Sequence, residues 1–161
     1  MNIKLISAFG AALLLAACSG GDHKGATTGN GGGTQAPTVS GPVPGSQADL
    51  VANVGDRVFF EFNSNKLTDD ARATLNRQAD WLKKYPNVQV MIAGNCDDRG
   101  TEEYNIALGS RRANAARDYL VSLGVASDRM TTISYGKDKP IAEGDNEEAW
   151  SQNRNATTSV R

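Results

Sequence analysis

Twelve residues carry most of the chemistry this chain could do. They are Gly94 to Asn105, "GNCDDRGTEEYN". The run holds Asp97, Asp98, Arg99, Glu102 and Glu103 and ends on Asn105. Five chemistries use such residues. A metal site would need an oxygen-rich loop or His/Cys ligands, but the EF-hand spacing is absent and the segment offers one thiol and no histidine. That absence also removes any Ser-His-Asp or Cys-His nucleophile system here. No GxxxxGK[ST] phosphate loop is present. A carboxylate pair, Asp97 with Glu103, would suit glycoside hydrolysis if both faced a cleft, although acids in a surface turn are usually solvated.

The fifth chemistry is a clamp for a charged ligand. Asn105 and Arg112 are seven residues apart, two helical turns, so they share one face of a helix. Free N–H groups near that helix's start favour an anion. A guanidinium beside an amide suits a carboxylate, and Asp97 suits an ammonium, so together they would hold a zwitterion. The competing reading pairs Arg112 with Asp97 or Glu103 as a local ion bridge. The residues alone leave both standing.

The elements that position these groups read as follows. "RVFFEF" (57–62) alternates and is aromatic, a strand pattern. Thr68 is a suitable N-cap, with Asp69 and Asp70 behind it, for a helix whose Ala71, Leu75, Ala79 and Leu82 lie on one face. Pro86 ends it, because a proline disfavours helical geometry at the residue before it. "VQVMIAG" (88–94) is a strand. Thr101 caps the next helix, with Leu108, Ala115 or Ala116, Tyr119 and Leu123 as its apolar stripe and Gly124 as its C′ residue. "MTTISYG" (130–136) is a third strand, "NEEAWSQNR" (146–154) a short helix and "ATTSV" (156–160) a fourth strand. Thr157, Thr158 and Ser159 bury little apolar surface, which predicts an edge position for that last strand. The alternation implies an α/β (α+β) two-layer sandwich, with helices on one face of a small mixed four-stranded sheet.

Upstream the chain has a different character. "MNIKLISAFGAALLLAAC" has one cation, Lys4, then an apolar run from Leu5 to Ala17 broken only by Ser7. Residues 1–17 have signal-peptide dimensions, too short for a stable membrane span. Small residues before Cys18 resemble a bacterial lipobox, which implies lipidation of Cys18, and Ser19 after it points to the outer membrane. Residues 18–48 are rich in Gly, Ser, Thr and Pro and read as a flexible tether. Roughly 30 such residues reach about 100 Å fully extended and about 30 Å as a coil. His23, the single histidine, lies there as a solvated linker residue. Residues 49–161 remain as one domain in the periplasm. With Cys18 acylated, Cys96 has no intramolecular partner and reads as a small buried residue at a strand end. Removing Lys4 with the leader moves the formal net charge from −1 to about −2, which gives no reason to expect nucleic acid as a partner.

A resemblance adds to this. "NIALGSRRANAARDYL" (105–120) is similar to the NxxLSxxRAxxVxxxL signature of OmpA-like peptidoglycan-binding domains. "GNCDDRGTEEYN" resembles the GHxDxRGTxEYN run of the lipoprotein branch of that family, the peptidoglycan-associated lipoproteins. "FFEFNSNKLTDDA", "ISYGKDKPI" and "AWSQNR" extend the match over residues 57 to about 156. The resemblance implies noncovalent binding of peptidoglycan through meso-diaminopimelate in the peptide stem. It implies Asp97 at the ammonium and Arg112 at the carboxylate, with Asn95, Thr101, Asn105 and Leu108 contributing. It implies TolB as a partner in the Tol-Pal system of envelope integrity and cell division, with no cofactor and no catalysis. A cell-wall hydrolase, or an OmpA-like lipoprotein outside the Tol system, are the alternatives. Three positions depart from the family pattern: Asn95 stands where many members have His, Gly109 replaces Ser at a cost of roughly 0.5–1 kcal/mol in helix propensity, and Asn155 replaces an Arg before a polar last strand.

Overall fold

A computed structural model describes residues 41–161. The expected signal peptide, Cys18, His23 and most of the expected tether lie outside the described residues.

Helix α2 (Asp69–Lys84) forms as its sequence dictates. Thr68 accepts a hydrogen bond from the Ala71 N–H, and Tyr85 closes the last turn. Ala71, Leu75, Ala79 and Leu82 are all buried. Helix α3 (Glu102–Ser122) starts on Thr101, whose hydroxyl accepts from the Tyr104 N–H, and ends at Gly124, where φ is +93°. Its buried face is Asn105, Leu108, Gly109, Arg112, Ala113, Ala116 and Leu120. That face carries two polar residues, and Leu120 rather than Tyr119 or Leu123 reaches the centre.

Strands β1 (Arg57–Phe59), β2 (Val90–Asn95), β3 (Met130–Gly136) and β4 (Asn155–Val160) make one mixed sheet in the order β1-β4-β2-β3. β4 runs antiparallel to both neighbours, while β2 and β3 are parallel. α2 and α3 pack on one face, against Val58, Val90, Ile92 and Ala156. Helix α4 (Glu147–Asn153) leads into β4. The fold is the expected two-layer α/β sandwich.

Two expectations need correction. β4 is not an edge strand; it lies between β1 and β2. Asn155, Thr157 and Thr158 fit there because each finds a partner. The Thr158 hydroxyl bonds Gln78 Oε1 at 3.0 Å, and Thr157 bonds Asn155 Oδ1 at 3.0 Å. A buried hydroxyl that is hydrogen-bonded costs little. β1 is shorter than the expected 57–62. The chain turns away at Glu61, whose carbonyl accepts from the Ser64 N–H, and Asn63 takes a left-handed φ of +52°.

Helix α1 (Gln47–Asn53) was not legible in the sequence, and it begins two residues before the position from which the domain was expected to start. It is pinned from a distance. Asp49 is buried and accepts from the Trp81 indole at 2.9 Å, the Gly45 N–H at 2.8 Å and Asn53 at 2.7 Å. These donors, the Gly45 amide first, hold its carboxyl below the usual carboxylate range. A depressed acid contributes stability that is full above its unfolded value and is lost as pH falls through its folded value. Asp49→Asn should therefore melt below wild type at pH 7, and the gap should close as pH drops below about 4. Parallel melting curves over that range would show that the carboxylate charge does not hold α1.

Candidate ligand-binding site

The carboxyl end of β2, the start of α3 and the turn after β1 enclose a cavity of about 160 Å³. Four of the residues expected from sequence line it: Asp97, Asn105, Leu108 and Arg112. Two do not. Thr101 is spent on capping α3, and the Asn95 side chain turns to Asn155 Oδ1 at 2.8 Å. Asn155, fully buried, also donates to the Gln152 and Asn153 carbonyls. Two of the three departures from the family pattern thus satisfy one another.

The third departure has a steric reason. Gly109 sits where α3 crosses β2 at Gly94. A Cβ on Gly94 would lie 1.8 Å from the Gly109 carbonyl oxygen, and one on Gly109 would lie 2.3 Å from Ser134 Oγ. The lost helix propensity accompanies a close helix–sheet contact.

Arg112 forms neither of the expected ion bridges. It is 1% exposed, and three backbone carbonyls hold it: Ser64 from Nε at 2.9 Å, Asn95 from Nη1 at 2.8 Å and Glu61 from Nη2 at 3.2 Å. No carboxylate among the described residues lies within ion-pair distance of it. Burial pulls its pKa down, yet guanidinium stays charged throughout the physiological range. The result is a buried cation at the cavity wall whose neighbours are carbonyl dipoles.

Asp97 is paired instead with two other arginines. Its Oδ2 accepts from Arg99 Nη2 at 2.5 Å and Arg154 Nη1 at 3.3 Å. Arg154, buried just ahead of β4, also bonds the Phe60 carbonyl at 3.0 Å and Glu147 Oε1 at 2.5 Å. Oδ1 of Asp97 accepts no bond from the protein's described groups, and Asp97 lines the cavity. Asn105, 2% exposed, donates to the Arg99 carbonyl at 2.9 Å and so ties the loop to the first turn of α3.

Sequence reasoning missed Phe62, Asn63, Arg99 and Tyr104, which also line the cavity. The Tyr104 hydroxyl bonds the Asn63 side chain across its mouth. Only Arg99 carried a signal, since it is a charged residue of the 94–105 run. Tyr104 lies in that run too but without charge, and Phe62 and Asn63 arrive from the turn after β1, Asn63 lying 41 residues from Tyr104 in the chain.

Cys96 is 3% exposed, and its thiol donates to the Asn105 carbonyl at 3.4 Å. Burial pushes its pKa up, which disfavours the reactive thiolate. Iodoacetamide at pH 8 should leave Cys96 unmodified in the folded chain and alkylate it in denaturant, read by peptide mass spectrometry. Rapid native labelling would contradict the inert assignment.

The family model described as the OmpA family matches residues 59–154. The chain is 61% identical over 115 residues to a peptidoglycan-associated lipoprotein of Rhizobium meliloti (strain 1021), covering 71% of this chain and 65% of that relative. It is 40% identical over 154 residues to the peptidoglycan-associated lipoprotein of Haemophilus influenzae, covering 96% and 95% of the two chains. The crystal structure of the peptidoglycan-associated lipoprotein from Burkholderia pseudomallei superposes with a TM-score of 0.64 at 43% identity, over 66% of this chain and 90% of that one. The C-terminal domain of Helicobacter pylori MotB superposes with a TM-score of 0.62 at 26% identity, over 66% and 84%.

Proposed function

The chain belongs to the OmpA family, and from that premise we propose that it binds peptidoglycan noncovalently while a lipid on Cys18 holds it to the outer membrane. The ligand is the meso-diaminopimelate of the peptide stem. Residues 18–48 span the gap between membrane and wall. TolB, implied by the family resemblance, is its protein partner in envelope integrity and cell division.

One observation carries the ligand assignment. A buried guanidinium without a carboxylate partner, Arg112, and a carboxylate with an uncommitted oxygen, Asp97, line the same small cavity. An ammonium and a carboxylate on one carbon complement that pair, and diaminopimelate ends its side chain in this arrangement. Asn105 and Leu108 complete the wall. The hydrolase alternative lacks its second acid here, because Glu103 is exposed and absent from the cavity lining.

The test changes the ligand rather than the protein. Diaminopimelate exceeds lysine by one carboxylate. Losing a charge-assisted hydrogen bond costs roughly 1.5–3 kcal/mol, so lysine-type muropeptides should bind about tenfold to a hundredfold more weakly. Calorimetric titration of the chain with both types measures this. Incubation with purified sacculi should retain the protein and release no soluble fragments. Equal affinity for the two muropeptides would remove diaminopimelate as the recognised group.

A further inference from the structure

Arg99 is the cavity-lining guanidinium with the most exposed side chain. Its side chain is 31% exposed, against 5% for Arg154, and Arg112 is 1% exposed. It lies between two aromatic rings, Phe62 and Trp150, with its central carbon 4.1 Å from each ring centroid. Stacking of this kind fixes the plane of a weakly hydrated cation. One nitrogen, Nη2, is on Asp97, while the Nε–H is buried without an acceptor. The fork is therefore oriented before any ligand arrives, and Nη1, unlike the buried Nε, is a donor with no bond to the described residues.

The charges around the cavity do not balance. Among the residues that line it, two guanidinium groups, Arg99 and Arg112, meet one carboxylate, Asp97, which leaves one positive charge in excess. Asp98 and Lys137, of opposite sign, line a neighbouring hollow rather than this cavity. The zwitterionic end of diaminopimelate is neutral and does not remove the excess. A second carboxylate on the same ligand does. In a diaminopimelate stem the preceding residue is a γ-linked D-glutamate, which leaves its α-carboxylate free.

We propose that Arg99 binds this second carboxylate, so that the site distinguishes stems with a free γ-glutamyl carboxylate from stems in which it is amidated. The inference rests on the peptide-stem reading above and adds a residue and a specificity to it. A carboxamide of the same shape brings no charge and keeps only one acceptor oxygen, so it loses the charge-assisted, two-oxygen contact.

The experiment is a cycle of ligand against substitution. The full-length chain, wild type and Arg99→Gln, is titrated with L-Ala-γ-D-Glu-diaminopimelate and with its amidated, isoglutaminyl form, and folding is checked by circular dichroism. Arg99→Lys serves as the conservative variant. Wild type should prefer the free acid by about tenfold, the size of one charge-assisted contact. Arg99→Gln should bring the ratio of the two affinities near one, and Arg99→Lys should fall between. If Arg99 only props Asp97, both stems weaken together and the ratio survives, which overturns the proposal. So does a wild type that binds the two stems alike. A lysine-containing stem run alongside separates the layers. Preference for diaminopimelate without preference for the free acid sinks the Arg99 assignment alone. Loss of both preferences sinks the stem reading and this inference with it.

Discussion

Gly94→Ala is expected to abolish cooperative folding of the domain, or to lower its midpoint in urea by an amount equivalent to more than about 4 kcal/mol. The added Cβ would stand 1.8 Å from the carbonyl oxygen of Gly109 and 2.6 Å from its carbonyl carbon. Both are backbone atoms inside α3, so no side chain can rotate out of the way. Relief requires lifting the helix from the sheet, and that helix covers β2 and β3 with Leu108, Ala113, Ala116 and Leu120. Overpacking by one methyl group usually costs roughly 1–3 kcal/mol where side chains absorb it. Here a 21-residue helix would have to move as a unit. Gly109→Ala provides the graded comparison. Its Cβ meets Ser134 Oγ at 2.3 Å, a side chain that can turn, and the Gly94 carbonyl oxygen at 2.8 Å. It gains about 1 kcal/mol of helix propensity and should still lose about 1–3 kcal/mol net. Urea titration followed by circular dichroism ranks the three proteins. A Gly94→Ala protein within 1 kcal/mol of wild type, roughly one ordinary surface substitution, would mean that α3 and β2 slide freely past one another.

Arg112→Ala should be nearly as damaging, and for a reason that precedes binding. The guanidinium satisfies the carbonyls of Glu61, Ser64 and Asn95, which belong to the turn after β1 and to the end of β2. Leaving a buried acceptor without a donor costs about 1–3 kcal/mol; the Glu61 carbonyl keeps the Ser64 N–H, so the other two acceptors and the lost Glu61 contact together cost on the order of 3–5 kcal/mol, partly offset by no longer burying a cation. In a domain of this size the melting temperature should fall by about 15 °C. Arg112→Lys restores one donor of three and should recover less than half of the loss, because an ammonium cannot reach carbonyls spread around a planar fork. Thermal melts of the three proteins, each with and without diaminopimelate, check both parts. Wild type should be stabilised by the ligand and the variants should not. An Arg112→Ala protein that melts within about 3 °C of wild type would reduce the three hydrogen bonds to surface contacts. The expected instability is also why substituting Arg112 is a poor probe of the ligand. A binding loss in a loosened protein reports the turn after β1 as much as the site.

The contrast between α2 and β4 explains what could be read early. The start of α2 follows from Thr68 and the Ala71 N–H three residues on, and its apolar face follows from a period of 3.6. Both rules act within one helical turn, so the sequence alone expresses them. The same holds for Thr101 and Gly124 at the ends of α3. The polar composition of β4 suggested an edge, but its place between β1 and β2 depends on what each hydroxyl meets. Thr158 meets Gln78, 80 residues away.

The site divides along the same line. The charged run at 94–105 and the seven-residue spacing to Arg112 are local patterns, and they marked the cavity and one wall of it. The sequence by itself determined the two-layer fold, the two long helices and the place where chemistry is concentrated. The tertiary structure alone decided which charges meet. It paired Asp97 with Arg154 over 57 residues, gave Arg112 carbonyls 48 and 51 residues away, and laid Arg99 between Phe62 and Trp150. Capping and periodicity depend on neighbours within about four residues. Ion pairing and stacking depend on distances of a few ångströms between segments that only the folded sheet brings together.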